Sequence, residues 1–426
     1  MRISIGFSGA AGSGVNTSGL LLGQLLSQKG YFVLGDKEYA SIIKGDNNDF
    51  FLYISDTDVF ITQTIDYFFA FDDYAVTKNQ KLYTLKQVYN IKDQNVTFKN
   101  TFCFGAALKL LGIALQEGID MMAKNYSGDV LDKNKECIQK GYEYGVQNAE
   151  CRIQNVGAEK SFMFGNEVIG TGAIKSGMNF YSAYPMTPAS SLIDVIVEGF
   201  KKQNLQESSV KSSGIFFQGE DEIAVSMSML GAKFAGKRAA CGTSGGGFAL
   251  MTESISFSNQ AELGGVYILS QRDGPSTGTP TFTGQGDLNY ALNASFGDTF
   301  PIVLAPSTFE ESYTLIGKAL NRSDQYQHPV IFLVDKQLSE SYLSLDTKSL
   351  VAEEIKRGKV EIVKNGGFEG EYKRYAESTD GVSPYLLPGT ENGEFIASSY
   401  EHDEYGAANE DPTVKKQQLE KRFRKL

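Results

Sequence analysis

Residues 2–35 read RISIGFSGAAGSGVNTSGLLLGQLLSQKGYFVLG. RISIGFSG alternates apolar residues and then turns at glycine. The leucines of VNTSGLLLGQLLSQKGY recur at helical spacing, and FVLG opens with a short apolar run. Strand, loop, helix and strand in that order predict a βαβ unit with a right-handed crossover and a parallel sheet. The loop GAAGSG can turn backbone N–H groups toward an anion, or it can let the helix pack closely on the sheet; both readings stand. It is not a Walker loop, because Val15-Asn16 stands where Lys-Ser/Thr is needed. It also misses GxGxxG, since Thr17 follows Gly12 and Gly14 where the third glycine belongs, which argues against a nucleotide-dependent dehydrogenase.

Further along, the same alternation returns. Residues 117–162 are charged and weakly periodic and predict one or two connecting helices, with a domain boundary near Ala158. From MFGNEVIGTGAIKSGMNFYSAYPMTP onward, strands (GIFFQ, RAACGT, GGVYILSQ, PIVLAP, PVIFLVD) alternate with helices (EDEIAVSMSMLGAKFAG, TFEESYTLIGKALN). Such alternation makes an α/β domain with a parallel sheet. After Leu345 the chain becomes polar and turn-rich, and DPTVKKQQLEKRFRKL opens like a capped basic helix. The expected organisation is therefore two parallel-sheet α/β domains, residues 1–158 and 159–345. An irregular C-terminal arm, 346–426, follows and wraps a neighbour or leads toward a further domain.

Composition narrows the function classes. With 40 basic and 51 acidic residues among 426, the net charge is −11, which argues against nucleic acid as a bulk partner. No segment approaches the roughly 20 apolar residues of a membrane span, and the N-terminus breaks into glycines too early for a signal peptide, so a cytoplasmic location is expected. Cys103, Cys137, Cys151 and Cys241 are far apart and read as reduced structural thiols, with no ligand set for zinc or an iron–sulfur cluster. With two histidines, His328 and His402, neither a histidine triad nor a multi-histidine metal site is expected, and no metal ligand is assigned.

Two stretches carry chemistry. In YPMTP, residues 184–188, each proline biases the residue before it toward extended backbone, so Tyr184 and Thr187 are held stiffly at a strand end. On its own this is a proline-rich loop with a solvated hydroxyl; at the carboxyl edge of an α/β sheet it is where ligands bind. In QRDGPSTGTPTFTGQGDL, Arg272 directly follows a buried strand and suits a carboxylate, while Thr281 follows a proline as Thr187 precedes one. Between them, GEDEIAVSMSMLGA places Glu220, Asp221 and Glu222 at a helix start. Acidic residues there complement the helix dipole. Glu222 also opens an apolar face, where an inward-pointing carboxyl can share a proton with a ring nitrogen.

Taken together, these stretches resemble the α subunit of the 2-oxoacid:ferredoxin oxidoreductases, most closely the 2-oxoglutarate type with a fused γ domain. FSGAAGSGVNTSGLLLGQLL and EYASIIKGDNN are similar to the γ domain. GNEVIGTGAIKSGMNFYSAYPMTPASSLID, FQGEDEIAVSMSMLGAKFAGKRA, TSGGGFALMTE and QRDGPSTGTPTFTGQGDL are similar to successive blocks of the pyruvate:ferredoxin oxidoreductase-type pyrimidine-binding domain, and VSPYLLPGTENGEFIASSYEHDEYG to the tail before the family's C-terminal domain, which these 426 residues do not include.

The resemblance implies CoA-dependent oxidative decarboxylation of a 2-oxoacid, most closely 2-oxoglutarate, to acyl-CoA and CO2 with reduction of ferredoxin. It implies thiamine diphosphate held between this chain and a β subunit that supplies Mg2+ and a [4Fe-4S] cluster, in a dimer of heterodimers, with coenzyme A as cosubstrate. It implies that Glu222, with Glu220 second, shares a proton with the cofactor's aminopyrimidine ring, and that Tyr184, Pro185 and Thr187 line the cofactor. Arg272 then holds the substrate carboxylate, and Thr187 and Thr281 bond the reacting oxygens. Lys44, Gly246, Asp273 and Phe282 depart from the family pattern, and Asp273 beside Arg272 opposes an anion. The alternative is a catalytically degenerate or regulatory paralogue that binds a β-type partner without turnover.

Overall fold

The strand Arg2–Ala10 and the helix Val15–Gln28 form as the alternation and leucine spacing require, joined through Gly12 and Gly14 at φ of 83° and 82°. The computed structural model describes residues 1–39, 46–145, 152–206, 214–361 and 367–425; Lys44 and Cys151 lie outside them. The chain divides into two units, Met1–Gly165 with Glu340–Ser349, and Asn166–Ser339 with Leu350–Leu426. The α/β class holds in both; the expected parallel sheet is complete in the second unit, whereas the sheet of the first unit is mixed.

In the first unit, Arg2–Ala10 is an interior strand of a seven-stranded sheet. It pairs in parallel with Thr64–Ala70, which pairs in parallel with Thr84–Asn90. On its other side lies Asn47–Ser55, antiparallel, and then Phe32–Glu38. The strand–helix–strand unit of residues 2–38 is thus present, but its two strands are not neighbours. The run DFFLYI between them is buried on both faces, which masks the period-two alternation by which a strand is recognised. Tyr342–Leu345 and Ser161–Phe164 complete this sheet. The expected boundaries at 158 and 345 therefore shift: the first unit runs on to Gly165 and takes back residues 340–349. Cys103 and Cys137 here, and Cys241 in the second unit, are buried free thiols.

The second unit carries a six-stranded sheet ordered Ile302–Leu304, Pro329–Asp335, Gly265–Gln271, Ala239–Thr243, Phe180–Ala183, Ile215–Gln218, with every pair parallel. Alternate residues feed two cores. Tyr181, Ala240, Val266, Ile268, Val330 and Phe332 pack on one face; Phe180, Cys241, Tyr267, Leu269, Ile331 and Leu333 pack on the other. Among the described residues no helix is long and apolar enough to cross a membrane.

Of the arm 346–426, expected to wrap a neighbour or lead toward a further domain, residues 350–426 belong to this second unit. Their anchorage is partly apolar, with Tyr385, Val360, Leu387, Phe395 and Ala397 clustered with Ala261, Leu263, Phe234 and Phe257, and partly polar. Three helices, Glu222–Phe234, Thr252–Gln260 and Phe309–Tyr326, end with carbonyls that lack helical partners. The tail supplies donors: Arg357 to Gly236 O at 2.9 Å, Arg374 to Glu262 O at 2.6 Å, and Lys425 to Gln327 O at 3.4 Å. These cations also meet the negative ends of the helix dipoles. Two buried carboxylates complete the arrangement. Glu262 pairs with Lys421 at 2.7 Å and Lys425 at 2.6 Å. Asp324 pairs with Arg238 at 2.6 Å, Arg357 at 3.0 Å and Lys233. Arg374, itself fully buried, lies over the rings of Tyr375, Tyr385 and Phe395.

Burial alone would raise the Glu262 carboxyl, but Lys425, Lys421 and Arg374 override it and hold the group well below the usual carboxylate range. Its contribution is therefore complete above the unfolded value of about 4.3 and is lost as pH falls below it. Glu262→Gln strands two buried ammonium groups and is expected to cost about 3–5 kcal/mol at neutral pH. The gap in denaturation midpoint between wild type and Glu262→Gln should narrow progressively below about pH 4. Equal midpoints at pH 7 would contradict this anchorage.

Candidate functional site

A parallel sheet sends every strand's carboxyl end to one edge. The chain passes from Phe180–Ala183 to its neighbour Ile215–Gln218, then crosses back to Ala239–Thr243 on the other side. This reversal of direction opens a crevice at the strand ends, the usual place for a ligand in such sheets. Four strand ends that are adjacent in the sheet carry YPMTP, QGEDE, TSGGG and QRDGPSTG in turn.

Glu222 is the first residue of the helix Glu222–Phe234, and Asp221 caps it by accepting from Ala224 N at 2.7 Å. Asp221 and Glu220 face solvent, whereas Glu222 is only 3% exposed. Its Oε1 is buried with no hydrogen-bond partner, and so is the hydroxyl of Ser244. A buried carboxylate oxygen without a donor is costly and calls for a ligand. The carboxyl lies directly against Gly247: a methyl group built there would overlap both Glu222 and the Thr243 hydroxyl. Gly245, two residues earlier, is bounded in the same way by Asp287, whose Oδ2 would stand 2.9 Å from such a methyl. The glycines of TSGGG thus leave room for two carboxylates.

Arg272 emerges half-buried from Gly265–Gln271 and donates from Nη1 to Thr187 O at 2.8 Å. The two loops singled out by sequence are joined by this bond. The Thr187–Pro188 and Gly274–Pro275 peptides are cis. Asp273, which stands beside Arg272 in sequence, is exposed. Its carboxylate accepts from the Thr279 hydroxyl, and its N–H donates to Phe282 O at 3.0 Å. It stitches the loop. Burial lowers the guanidinium's ordinary range, with Asp287 opposing; burial raises the Asp287 carboxyl, with Arg272 opposing. Asp287 is placed by Gln271, whose Oε1 accepts from its N–H at 2.9 Å, and by Gln285, bound to Asp335 at 2.6 Å.

Thr281 is half-buried on the same loop, and its hydroxyl has no partner among the described residues. Tyr184, 39% exposed, and Pro185 stand on the rim. Phe282 is 59% exposed. Sequence reading passed over Ser244, Gly247 and Asp287. The signal for the first two was a glycine run following a strand. Asp287 carried none, since it lies well downstream of TSGGG in the chain and comes against Gly245 only through the fold.

Residues 171–421 match the family described as pyruvate flavodoxin/ferredoxin oxidoreductase, thiamine diphosphate-binding, and residues 4–93 match pyruvate ferredoxin/flavodoxin oxidoreductase. The α subunit of a 2-oxoacid:ferredoxin oxidoreductase from Saccharolobus solfataricus is 32% identical over all of this chain and 78% of its own length. The 2-oxoglutarate synthase subunit KorA of Archaeoglobus fulgidus is 38% identical over 42% of this chain and 49% of its own length. The solved 2-oxoglutarate:ferredoxin oxidoreductase from Magnetococcus marinus, with 2-oxoglutarate, coenzyme A and succinyl-CoA bound, superposes with a TM-score of 0.86 at 28% identity, over the whole chain and 78% of that protein. The chain, with its all-parallel second sheet and its crevice at the strand ends, belongs to the α subunits of the 2-oxoacid:ferredoxin oxidoreductases.

Proposed function

We propose that the crevice between Thr187, Glu222 and Arg272 binds the aminopyrimidine side of thiamine diphosphate and the carboxylate of a 2-oxoacid, with 2-oxoglutarate as substrate. The observation that carries this reading is the buried, unpartnered Glu222 Oε1 over Gly247. A ring nitrogen suits it: the carboxyl can hold a proton at Oε1 and donate it, or accept one, where bulk water is excluded. When bound, thiamine diphosphate supplies a nucleophilic carbon for the 2-oxo carbonyl and an electron sink for loss of CO2.

The chain's own groups orient the substrate. Thr187 O holds Arg272 Nη1, which leaves Nη2 and Nε for the carboxylate. The Thr187 and Thr281 hydroxyls stand on stiff loops as donors to the reacting oxygens. A β subunit brings Mg2+, the diphosphate contacts and the [4Fe-4S] cluster, CoA accepts the acyl group, and ferredoxin accepts the electrons. The choice of 2-oxoglutarate is supported by the substrate named for the KorA relative and for the Magnetococcus structure.

Two experiments test this, both on the complex co-expressed with its β subunit and assayed with CoA and a viologen acceptor. Glu222→Gln should lose at least about a hundredfold in kcat, within the range for a proton-transfer group, while Glu220→Gln retains activity. The reverse pattern would assign the role to Glu220. Arg272→Ala should raise KM for 2-oxoglutarate and pyruvate alike by about tenfold or more, the equivalent of roughly 1.5–3 kcal/mol for a charge-assisted bond. A change under about threefold on both substrates, well below that energy, would return Arg272 to the role of a loop residue. Wild type that binds the β subunit and cofactor but does not turn over would favour the degenerate-paralogue reading.

A further inference from the structure

The second unit holds a half-open cavity of about 410 Å3 at the amino edge of its sheet. The helix Thr252–Gln260, the loop 296–299 that leads toward Ile302–Leu304, and the tail helix Pro412–Phe423 bound it, and none of the crevice residues lines it. Asn259 lines it, is 5% exposed, and has no hydrogen-bond partner for its side-chain amide among the described residues. A buried amide left without partners is costly and calls for a ligand. The Thr299 hydroxyl and Arg422 Nε, which line the same cavity, are buried and unpartnered as well; Arg422 commits Nη1 and Nη2 to Glu401 at 3.1 and 2.9 Å. A small hollow that shares Asn259, Thr299 and Arg422 with the cavity continues to His328. There Nε2 lies 2.6 Å from Phe300 O; a carbonyl only accepts, so Nε2 carries the hydrogen and Nδ1 is a buried acceptor with no partner. Burial lowers the imidazole to about 4, so the ring is neutral at pH 7.

The buried end of this cavity thus offers hydrogen-bond donors and acceptors but no uncompensated charge, because Glu401 neutralises Arg422. That suits the edge of a heterocyclic base better than a phosphate or a metal ion. Unpaired charge stands at the mouth, where Glu253, Asp298 and Lys415 are exposed. Phe296, 62% exposed, lines the mouth with a ring on which a base can stack. We infer that this cavity is a binding site for an adenine nucleotide, with Asn259 on the edge of the base, Phe296 against its face and Lys415 toward the phosphates. An asparagine amide makes two bonds with adenine, which presents a donor at N6 and an acceptor at N7; guanine presents two acceptors and does not match. Carboxylates such as Glu253 and Asp298 suit ribose hydroxyls. The volume lies within the range of small-molecule pockets. The ADP moiety that this chemistry recognises occurs both as the free nucleotide and as one half of CoA.

Calorimetric titration of the complex with its β subunit, using ADP and GDP, tests the inference. ADP should bind saturably and at least about fivefold more tightly than GDP. Asn259→Ala should abolish that preference while leaving the melting temperature near that of wild type, since the amide has no protein partner to lose. Phe296→Ala, at an exposed position, should weaken ADP by roughly fivefold or more. Titration of ADP in the presence of CoA identifies the source: competition assigns the site to the nucleotide half of CoA, and unchanged ADP affinity assigns it to a free nucleotide. Absence of saturable ADP binding at millimolar concentration would overturn the inference. So would equal affinities for ADP and GDP, or ADP binding that neither variant changes. None of these residues lies in the crevice, so the proposed function stands or falls separately on Glu222 and Arg272.

Discussion

A parallel sheet flanked by helices has two electrically unlike edges. Helix N-termini, with free N–H groups and positive dipole ends, gather at the strands' carboxyl edge, and helix C-termini, with free carbonyls, gather at the amino edge. The second unit, in which all six strands run the same way, meets both consequences. At the amino edge, Arg357, Arg374 and Lys425 cap three helix ends, and Glu262 and Asp324 balance part of the buried positive charge. At the carboxyl edge, helix starts and glycine turns surround a crevice suited to anionic ligands.

The crevice depends on what is absent from its floor. Side chains at Gly245 and Gly247 would occupy the places of two carboxyl groups, Asp287 and Glu222. Glu222 is buried with Oε1 unpartnered, fit for a ring nitrogen; Asp287 is half-buried against Gly245. Two acids at one turn thus have different surroundings, and in the proposed function Glu222 exchanges the proton.

Local sequence reached part of this. The alternation of strand and helix patterns marked the second α/β unit, and YPMTP and QRDGPSTG marked two loops that the Arg272–Thr187 bond joins. The opening of an apolar face at Glu222 separated it from Glu220, and burial separates them in the same sense. Long-range features were not legible. Asp273 is next to Arg272 in the chain, but its carboxylate is taken by Thr279. The strand Asn47–Ser55 shows no alternation because both of its faces are buried. The tail has little apolar periodicity because scattered apolar residues and cations hold it together, and the carbonyls those cations meet exist only once three helices end together.

Equilibrium binding of thiamine diphosphate to the α–β complex, compared in wild type, Gly246→Ala and Gly247→Ala, measures the pairing of Glu222 with the glycine turn. A methyl on Gly246 meets nothing within 4 Å, whereas one on Gly247 meets the Glu222 carboxyl. Gly246→Ala should bind as wild type does, and Gly247→Ala should lose roughly tenfold or more in affinity, about 1.4 kcal/mol or above. Equal affinities in all three would show that the space over Gly247 does not set the position of Glu222 against the cofactor.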